Sequence, residues 1–340
     1  MYLKKLHLLN FRSFKDFLLP LENSALIYGD NGAGKTSILE GIHFALKSKS
    51  FRTTSINSMI NKDADFFRIS SDIHDCKRAL EKRTGKALIK ENYDSFNKYD
   101  LLPLLINNFS LRFLEQNKDV RRDFIDYYLF HVKHEYLDKL KRFRKILHSR
   151  NKALKIKDKD QIGVWTKLLV EESYEINKDR KEIISMVIEN LKSNILEKIN
   201  DEKWKKILDS LEISFFSGWI GEDLEMSLRE EYEEDLKKGY TKSGAHKFDL
   251  DVEVYNEKSG NIMSRGEQKL LILLTFLSFG EYLLNNFSKK IIYLIDDLPS
   301  ELDQNNLDLA FNFLRNFKGQ KLITSIKKLE NTHVDQLIDL

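Results

Sequence analysis

The sequence predicts an α/β fold assembled from the two ends of the chain, with a mostly helical second lobe inserted between them. Three observations carry this. The short apolar run Ala25–Tyr28 enters a glycine-rich turn. Beyond the turn Ile38, Leu39, Ile42, Ala45 and Leu46 recur at helical spacing, giving the strand–loop–helix opening of an α/β unit. Toward the other end, Ile291–Ile295 reads as a buried strand, Leu307–Phe317 as a helix and Lys321–Ser325 as a last strand. From about Leu104 to Asp235 there is no proline, and charged stretches carry apolar residues every three or four positions.

The remaining elements follow the same reasoning. Leu3–Leu9 alternates as a strand, and Phe17–Leu21 pairs with it. Tyr136, Leu140, Phe143 and Leu147 make one apolar helix face in the middle of the chain. Asp249–Tyr255 alternates like a strand and Glu267–Leu284 reads as a helix. Residues 1–103 plus 239–340 are thus expected to form the first lobe, and 104–238 the helical insertion.

At 340 residues and 41% apolar composition the chain has room for two packed units. Its net charge of +3 is close to neutral, so binding a polyanion requires a local patch. Between Lys133 and Lys155 nine basic residues (133, 139, 141, 142, 144, 145, 150, 152 and 155) face only Glu135 and Asp138, the pattern of a helix face that displaces phosphate counterions. The single cysteine, Cys76, fits a reducing compartment. The opening MYLKKLHLLNFRSF lacks a signal-peptide core, and the longest apolar run, near Leu270–Phe279, is short for a membrane span, so a cytoplasmic protein without a membrane partner is expected. His43, His74 and His246 are not at metal-ligand spacing, and Trp165, Trp204 and Trp219 read as core or interface anchors.

The chemistry is concentrated in three segments. Gly29-Asp30-Asn31-Gly32-Ala33-Gly34-Lys35-Thr36 matches G-x-x-x-x-G-K-[ST], and Ser37 continues it into the helix. Glycines let backbone N–H groups converge on phosphate oxygens, and the helix that follows points its positive end at the same anion. Lys35 is placed to reach the β- and γ-phosphates of ATP, and the Thr36 hydroxyl to ligate Mg2+. The strand Ile291–Ile295 ends in Asp296 and Asp297, which a parallel sheet carries to the same edge as the phosphate loop. Asp296 is expected to hold the metal and Asp297 to orient or deprotonate the attacking water. Ser264-Arg265-Gly266-Glu267-Gln268-Lys269 opens a helix about 20 residues before that strand, with a serine cap and a glycine that permits close backbone approach. It is a second anion site at a helix start, and one nucleotide does not need two cradles from one chain. The economical reading is that it serves a nucleotide held by a second copy in an ATP-dependent homodimer. Pro299-Ser300-Glu301-Leu302-Asp303 follows the acidic strand and by itself reads as a helix-start turn; it resembles a segment that lines the dimer interface in ABC-type ATPases, and that resemblance implies the same place for Asp303.

The order of these segments resembles the RecF family, relatives of the structural-maintenance-of-chromosomes and Rad50 heads, over nearly the whole chain. Leu9-Asn10-Phe11-Arg12-Ser13 is similar to the family's N-F-R opening and Ser50-Phe51-Arg52-Thr53 to its S-F-R segment. Arg121-Arg122-Asp123-Phe124-Ile125-Asp126 resembles R-R-x-F-L-D, and Arg150-Asn151-Lys152-Ala153-Leu154 resembles R-N-x-x-L. Gly244-Ala245-His246-Lys247-Phe248-Asp249-Leu250 resembles G-P-H-[RK]-x-D-L, with Ala245 in place of proline. Asn107-Asn108-Phe109 stands where the family has a proline–acid pair, and Thr324-Ser325-Ile326 where related ATPases carry a switch histidine. The resemblance implies an ABC-type ATPase head that binds ATP, dimerises with it and hydrolyses it slowly. It further implies binding to double-stranded DNA and single-/double-strand junctions, and action with RecO and RecR to help load RecA. The rival readings are an ATPase subunit of a transport assembly and an ATP-gated DNA scaffold with negligible turnover.

Overall fold

Two kinds of strand build the first unit: apolar runs buried on both faces, and alternating strands buried on one. The computed structural model describes residues 2–74, 76–92, 101–107, 109–114, 118–133, 135–196, 199, 201–287, 289–330 and 332–340. The chain divides into two compact units, residues 1–111 with 264–340 and residues 112–263.

The first unit begins with β1 (Leu3–Phe11), β2 (Phe14–Pro20), β3 (Ser24–Tyr28) and helix α1 (Lys35–Lys47), then β4 (Phe66–Ile73), β5 (Cys76–Arg83), β6 (Ile89–Glu91) and β7 (Leu101–Ile106). Strands β1, β2, β4, β5 and β6 form an antiparallel sheet in the order β2-β1-β4-β5-β6. On β4 burial alternates along Phe67, Ile69, Ser71 and Ile73, as one covered face requires.

The second unit carries α2 (Lys118–Val132), α3 (Tyr136–Ile156), α4 (Lys159–Leu196), α5 (Glu202–Asp209), β8 (Glu212–Phe216), α6 (Leu224–Glu230), α7 (Tyr232–Lys238), β9 (Asp249–Val254), β10 (Glu257–Lys258) and α8 (Ser259–Ile262). Helices α3 and α4 pack along each other, and Ala153, Leu154 and Ile162 form a small core with Trp165, Tyr232 and Leu236 against it. Trp204 and Trp219 are buried. Internal ties stiffen this unit. Arg121 pairs with Asp249 at 2.7 Å, Arg180 with Asp126 at 2.9 Å, and Arg122 donates to the Phe248 carbonyl at 2.9 Å. Arg150 is fully buried, donating to Asp235 at 2.8 Å and to the Thr241 hydroxyl at 2.7 Å.

The first unit resumes with α9 (Arg265–Phe287), β11 (Lys290–Ile295), α10 (Gln304–Asn316), β12 (Gln320–Ser325) and β13 (Gln336–Asp339). These complete an all-parallel sheet, β13-β3-β12-β11-β7, assembled from both ends of the chain. Its central strands are buried on both faces: Ile291 to Ile295 are entirely sequestered. Helix α1 lies between the two sheets, where Ile38, Leu39, Ile42 and Phe44 meet Leu8 and Phe11 of β1, Phe67 of β4 and Leu294 of β11. Helix α9 is long and apolar enough to cross a membrane by length and composition, yet most of its residues are buried in this unit. At Gly280 a Cβ would meet the Tyr293 hydroxyl at 2.1 Å, so α9 reaches β11 this closely only without a side chain there.

The boundaries between the units differ from those the sequence suggests. Residues 101–106 pair with β11 as a sheet strand, which keeps the first unit together to residue 111. Residues 239–263 stay with the second unit, because β9 pairs with β8 in a three-stranded sheet with β10.

Candidate functional site

All five parallel strands end on one edge of their sheet, and the loops leaving β3 and β11 meet there. Gly29, Gly32 and Gly34 of the phosphate loop have φ of 152°, 89° and 109°, left-handed or extended values that suit glycine. At Gly34 the constraint is also steric, since a Cβ would lie 2.5 Å from the Phe14 ring. The Lys35 ammonium folds over the loop and donates to the carbonyls of Gly29 at 2.6 Å and Asp30 at 2.8 Å.

The second acidic strand meets this loop directly. The Thr36 hydroxyl lies 3.0 Å from both carboxylate oxygens of Asp296. Thr324, at the end of β12, donates its hydroxyl to Asp296 at 2.8 Å and accepts the Asp297 N–H at 2.7 Å. Asp297 sits in the left-handed region with φ 54°.

A cleft of about 820 Å³ opens over these groups. Its walls include Gly32, Gly34, Lys35, Thr36, Ser37, Asp296 and Asp297, together with Arg12, Arg52, Asn61 and Lys62. The two arginines share one anchor. Glu40 of α1, completely buried, accepts from Arg12 at 2.6 and 2.9 Å, from Arg52 at 3.3 Å and from the Ser50 hydroxyl at 2.5 Å. Arg52 also donates to the Ser37 hydroxyl at 3.3 Å, which puts its guanidinium beside the start of α1. Arg12 and Arg52 belong to the N-F-R and S-F-R segments of the sequence, which carry no role there; Glu40 escapes motif reading, although a carboxylate amid the buried apolar positions of α1 is a signal that something cationic must meet it.

Ser264–Gln268 and Asp303 do not line this cleft. The start of α9 carries a capping box: the Ser264 N–H donates to Glu267 at 2.7 Å, and the Ser264 hydroxyl accepts the Glu267 N–H at 3.3 Å. Ser264 and Arg265 remain exposed, and Gly266 lies against the Glu301 carbonyl, where a Cβ would come within 2.6 Å. Asp303 caps α10 by accepting the Asn306 N–H at 2.8 Å. Asn107 caps its own loop, accepting from the N–H groups of Phe109 and Ser110, while Asn108 lies outside the described residues.

The nine-residue basic stretch does not survive as one face. Lys133 and Lys139 pair with Asp179 of α4 at 2.7 and 2.9 Å, Arg142 pairs with Glu172 at 2.8 Å, and Arg150 is the buried partner of Asp235. Helical geometry explains the sorting. Lys141, Arg144, Lys145, Lys152 and Lys155 fall within an arc of about 100° on α3, whereas Lys139 and Arg150 point toward its packed side and the exposed Arg142 lies at the border. Arg144, Lys145, Lys152 and Lys155 are exposed, and Lys141 pairs with Asp138 of its own helix.

Among the described residues no group of three or more His, Cys, Asp or Glu converges, so a metal here would draw on few protein ligands. Asp296 and Thr36 offer hard oxygens at one point of the phosphate-loop cleft, a set suited to magnesium completed by phosphate and water.

A family model described as an AAA ATPase domain matches residues 1–338. The DNA replication and repair protein RecF of Pseudoalteromonas translucida is 34% identical over 343 residues, covering 96% of this chain and 92% of that one. That of Shewanella loihica is 33% identical over 342 residues, with the same coverage of 96% and 92%. Among solved structures, the recombination mediator protein RecF with ATP superposes with a TM-score of 0.77 at 23% identity, covering 97% of this chain and 93% of that chain. An SMC head bound to the C-terminal winged-helix domain of ScpA gives a TM-score of 0.52 at 16% identity, covering 100% and 94%. The last two are likenesses of fold, and the curated relatives are likenesses of sequence along nearly the whole chain: this protein belongs to the RecF family of DNA replication and repair proteins and is built on an AAA ATPase domain.

Proposed function

We propose that this protein is an ATP-dependent recombination mediator of DNA repair and replication restart: it binds ATP with magnesium, closes as a homodimer on duplex DNA and at single-/double-strand junctions, and hydrolyses the nucleotide slowly. The observation that carries this reading is the meeting of Thr36 with Asp296 beneath the glycine loop. Gly29 to Ser37 supply N–H groups and a helix start for the phosphates, and Lys35 exchanges its loop carbonyls for phosphate oxygens. Thr36 and Asp296 would hold the magnesium, which would supply positive charge against the phosphates. Asp297 orients the attacking water or takes its proton. Arg12 and Arg52, fixed by Glu40, add positive charge to the cleft wall.

Ser264, Arg265, Gly266, Glu267, Gln268 and Asp303 act on the nucleotide of the second copy. Their position outside the cleft lining supports this, as does a helix start whose serine is exposed while Gly266 is packed. The γ-phosphate then favours the closed dimer because it contacts both copies, and hydrolysis removes that preference. On DNA, the exposed arc Lys141, Arg144, Lys145, Lys152 and Lys155 contacts phosphates without reading bases. RecO and RecR are the partners, RecA loading is the outcome, and the cytoplasm is the setting.

Lys35→Arg tests the nucleotide site. It keeps a positive charge but not the compact ammonium that reaches between two phosphates. Binding of a fluorescent ATP analogue is expected to persist while phosphate release falls by about tenfold or more. Turnover equal to that of the unaltered protein would exclude the assigned role.

A further inference from the structure

Lys269 lies near the start of α9, is 4% exposed, and has no carboxylate partner among the described ion pairs. Its ammonium instead donates to two main-chain carbonyls, Asp297 at 2.7 Å and Ser300 at 2.8 Å. Burial pushes its pKa below the usual range, against the pull of Asp297, Glu301 and Asp296. Taking an ammonium out of water is expensive, and a leucine would fill the same space more cheaply if packing were all that mattered. What the charge holds is specific. Asp297 is a non-glycine residue in the left-handed region, a conformation that crowds its Cβ and needs outside support. Its N–H is held by Thr324 at 2.7 Å and its carbonyl by Lys269, so side chains from two other elements fix the backbone on either side of one carboxylate. A second contact joins the same two segments, since Gly266 of α9 packs against the carbonyl of Glu301.

We infer that Lys269 is a positioning residue for hydrolysis, tying the serine-capped start of α9 to the backbone of Asp297 so that the seating of this helix sets where the carboxylate stands. Docking of a second copy's nucleotide on Ser264–Gln268 is thereby felt at the protein's own Asp297, through one side chain and two hydrogen bonds. The inference rests on the role given to Asp297 above, and the experiment separates the two.

Four proteins are compared: the unaltered chain, Asp297→Asn, Lys269→Met and Lys269→Arg. Each is measured for the affinity of a fluorescent ATP analogue and for ATP cleavage at saturating nucleotide. Lys269→Met is expected to slow cleavage by about tenfold or more with nucleotide affinity within about threefold of normal. Lys269→Arg, which keeps charged donors for both carbonyls, is expected to recover most of the rate. Should Lys269→Met fail to fold, Lys269→Gln, with one neutral amide group, is read on the same two scales. If Asp297→Asn cleaves ATP normally, the reading of the site falls, and the inference with it. If Asp297→Asn is inactive while Lys269→Met or Lys269→Gln cleaves at the normal rate, only the inference is overturned. Equal losses of affinity and rate in the Met and Arg variants would also overturn it, because they would mark a packing role.

Discussion

Thr324 shows how much one hydroxyl can organise. It sits near the end of β12 and is fully buried. With a single oxygen it donates to Asp296 and accepts from Asp297, coupling the proposed metal ligand to the proposed water ligand. Thr324→Val keeps the shape and removes both bonds, leaving the Asp297 amide without its partner. A loss of stability of about 1–3 kcal/mol is expected, read from the midpoint of urea unfolding, and Thr324→Ser should restore most of it. An unchanged midpoint in the valine variant would mean that the left-handed turn at Asp297 stands without this support. Motif reading marks Thr324 only as part of a segment without a histidine and gives its hydroxyl no role, because a bond to a carboxylate 28 residues away leaves no pattern in the string. Arg150 is the converse case. Counted as one of a basic run, it is the buried partner of Asp235, and only its helical angle separates it from its exposed neighbours.

At the level of elements, periodicity exposes what is strongly amphipathic or wholly apolar, and hides what is neither. The phosphate-loop unit, β11 and α10 are legible because one period dominates each. The apolar run Leu101–Ile106 is short enough to read either way, and pairing with β11 makes it a strand. Strands β5 and β6 bear Lys, Arg and Glu on much of their length, so charge masks the alternation. The second unit holds a short 3-10 turn, Ala245–Lys247, that packs a histidine within its motif. Burial lowers the pKa of His246 to about 4, while its Nε2 donates to the Thr241 carbonyl at 3.2 Å. In the unfolded chain the same ring titrates near 6.5. Between these values the unfolded state binds more protons, so the contribution to stability is full above pH ~6.5 and is lost as pH falls toward 4. Lowering pH from about 7.5 to about 5 should therefore cost about 1–2 kcal/mol through this residue. Urea titrations at both pH values measure it, and His246→Gln should flatten the difference by that amount; an unaltered difference would assign the acid sensitivity to other groups.

For the molecule as a whole, the described residues hold the phosphate-loop cleft and an exposed, capped helix start that does not line it. A sequence can announce both segments, but only coordinates show that Ser264–Gln268 stand outside the lining. That separation turns the dimer into a physical requirement of the proposed mechanism, because the contact that senses the γ-phosphate must come from another copy. Ser264→Arg tests it. The long cation fills the space in front of α9 where a partner's phosphates would dock, and it also removes the serine from the capping box. Loss of the cap alone costs on the order of 1 kcal/mol, and Ser264→Ala reports that share separately. Sizing by light scattering with ATP, with ADP and without nucleotide should show an ATP-dependent doubling of mass for the unaltered protein, retained in weakened form by Ser264→Ala and absent from Ser264→Arg. All three should bind a fluorescent ATP analogue alike, since the cleft itself is untouched. Duplex DNA should favour the doubled species only where ATP does. If Ser264→Arg doubles in mass as readily as the unaltered protein, the start of α9 does not meet the partner's nucleotide, and ATP must act on assembly through some other surface.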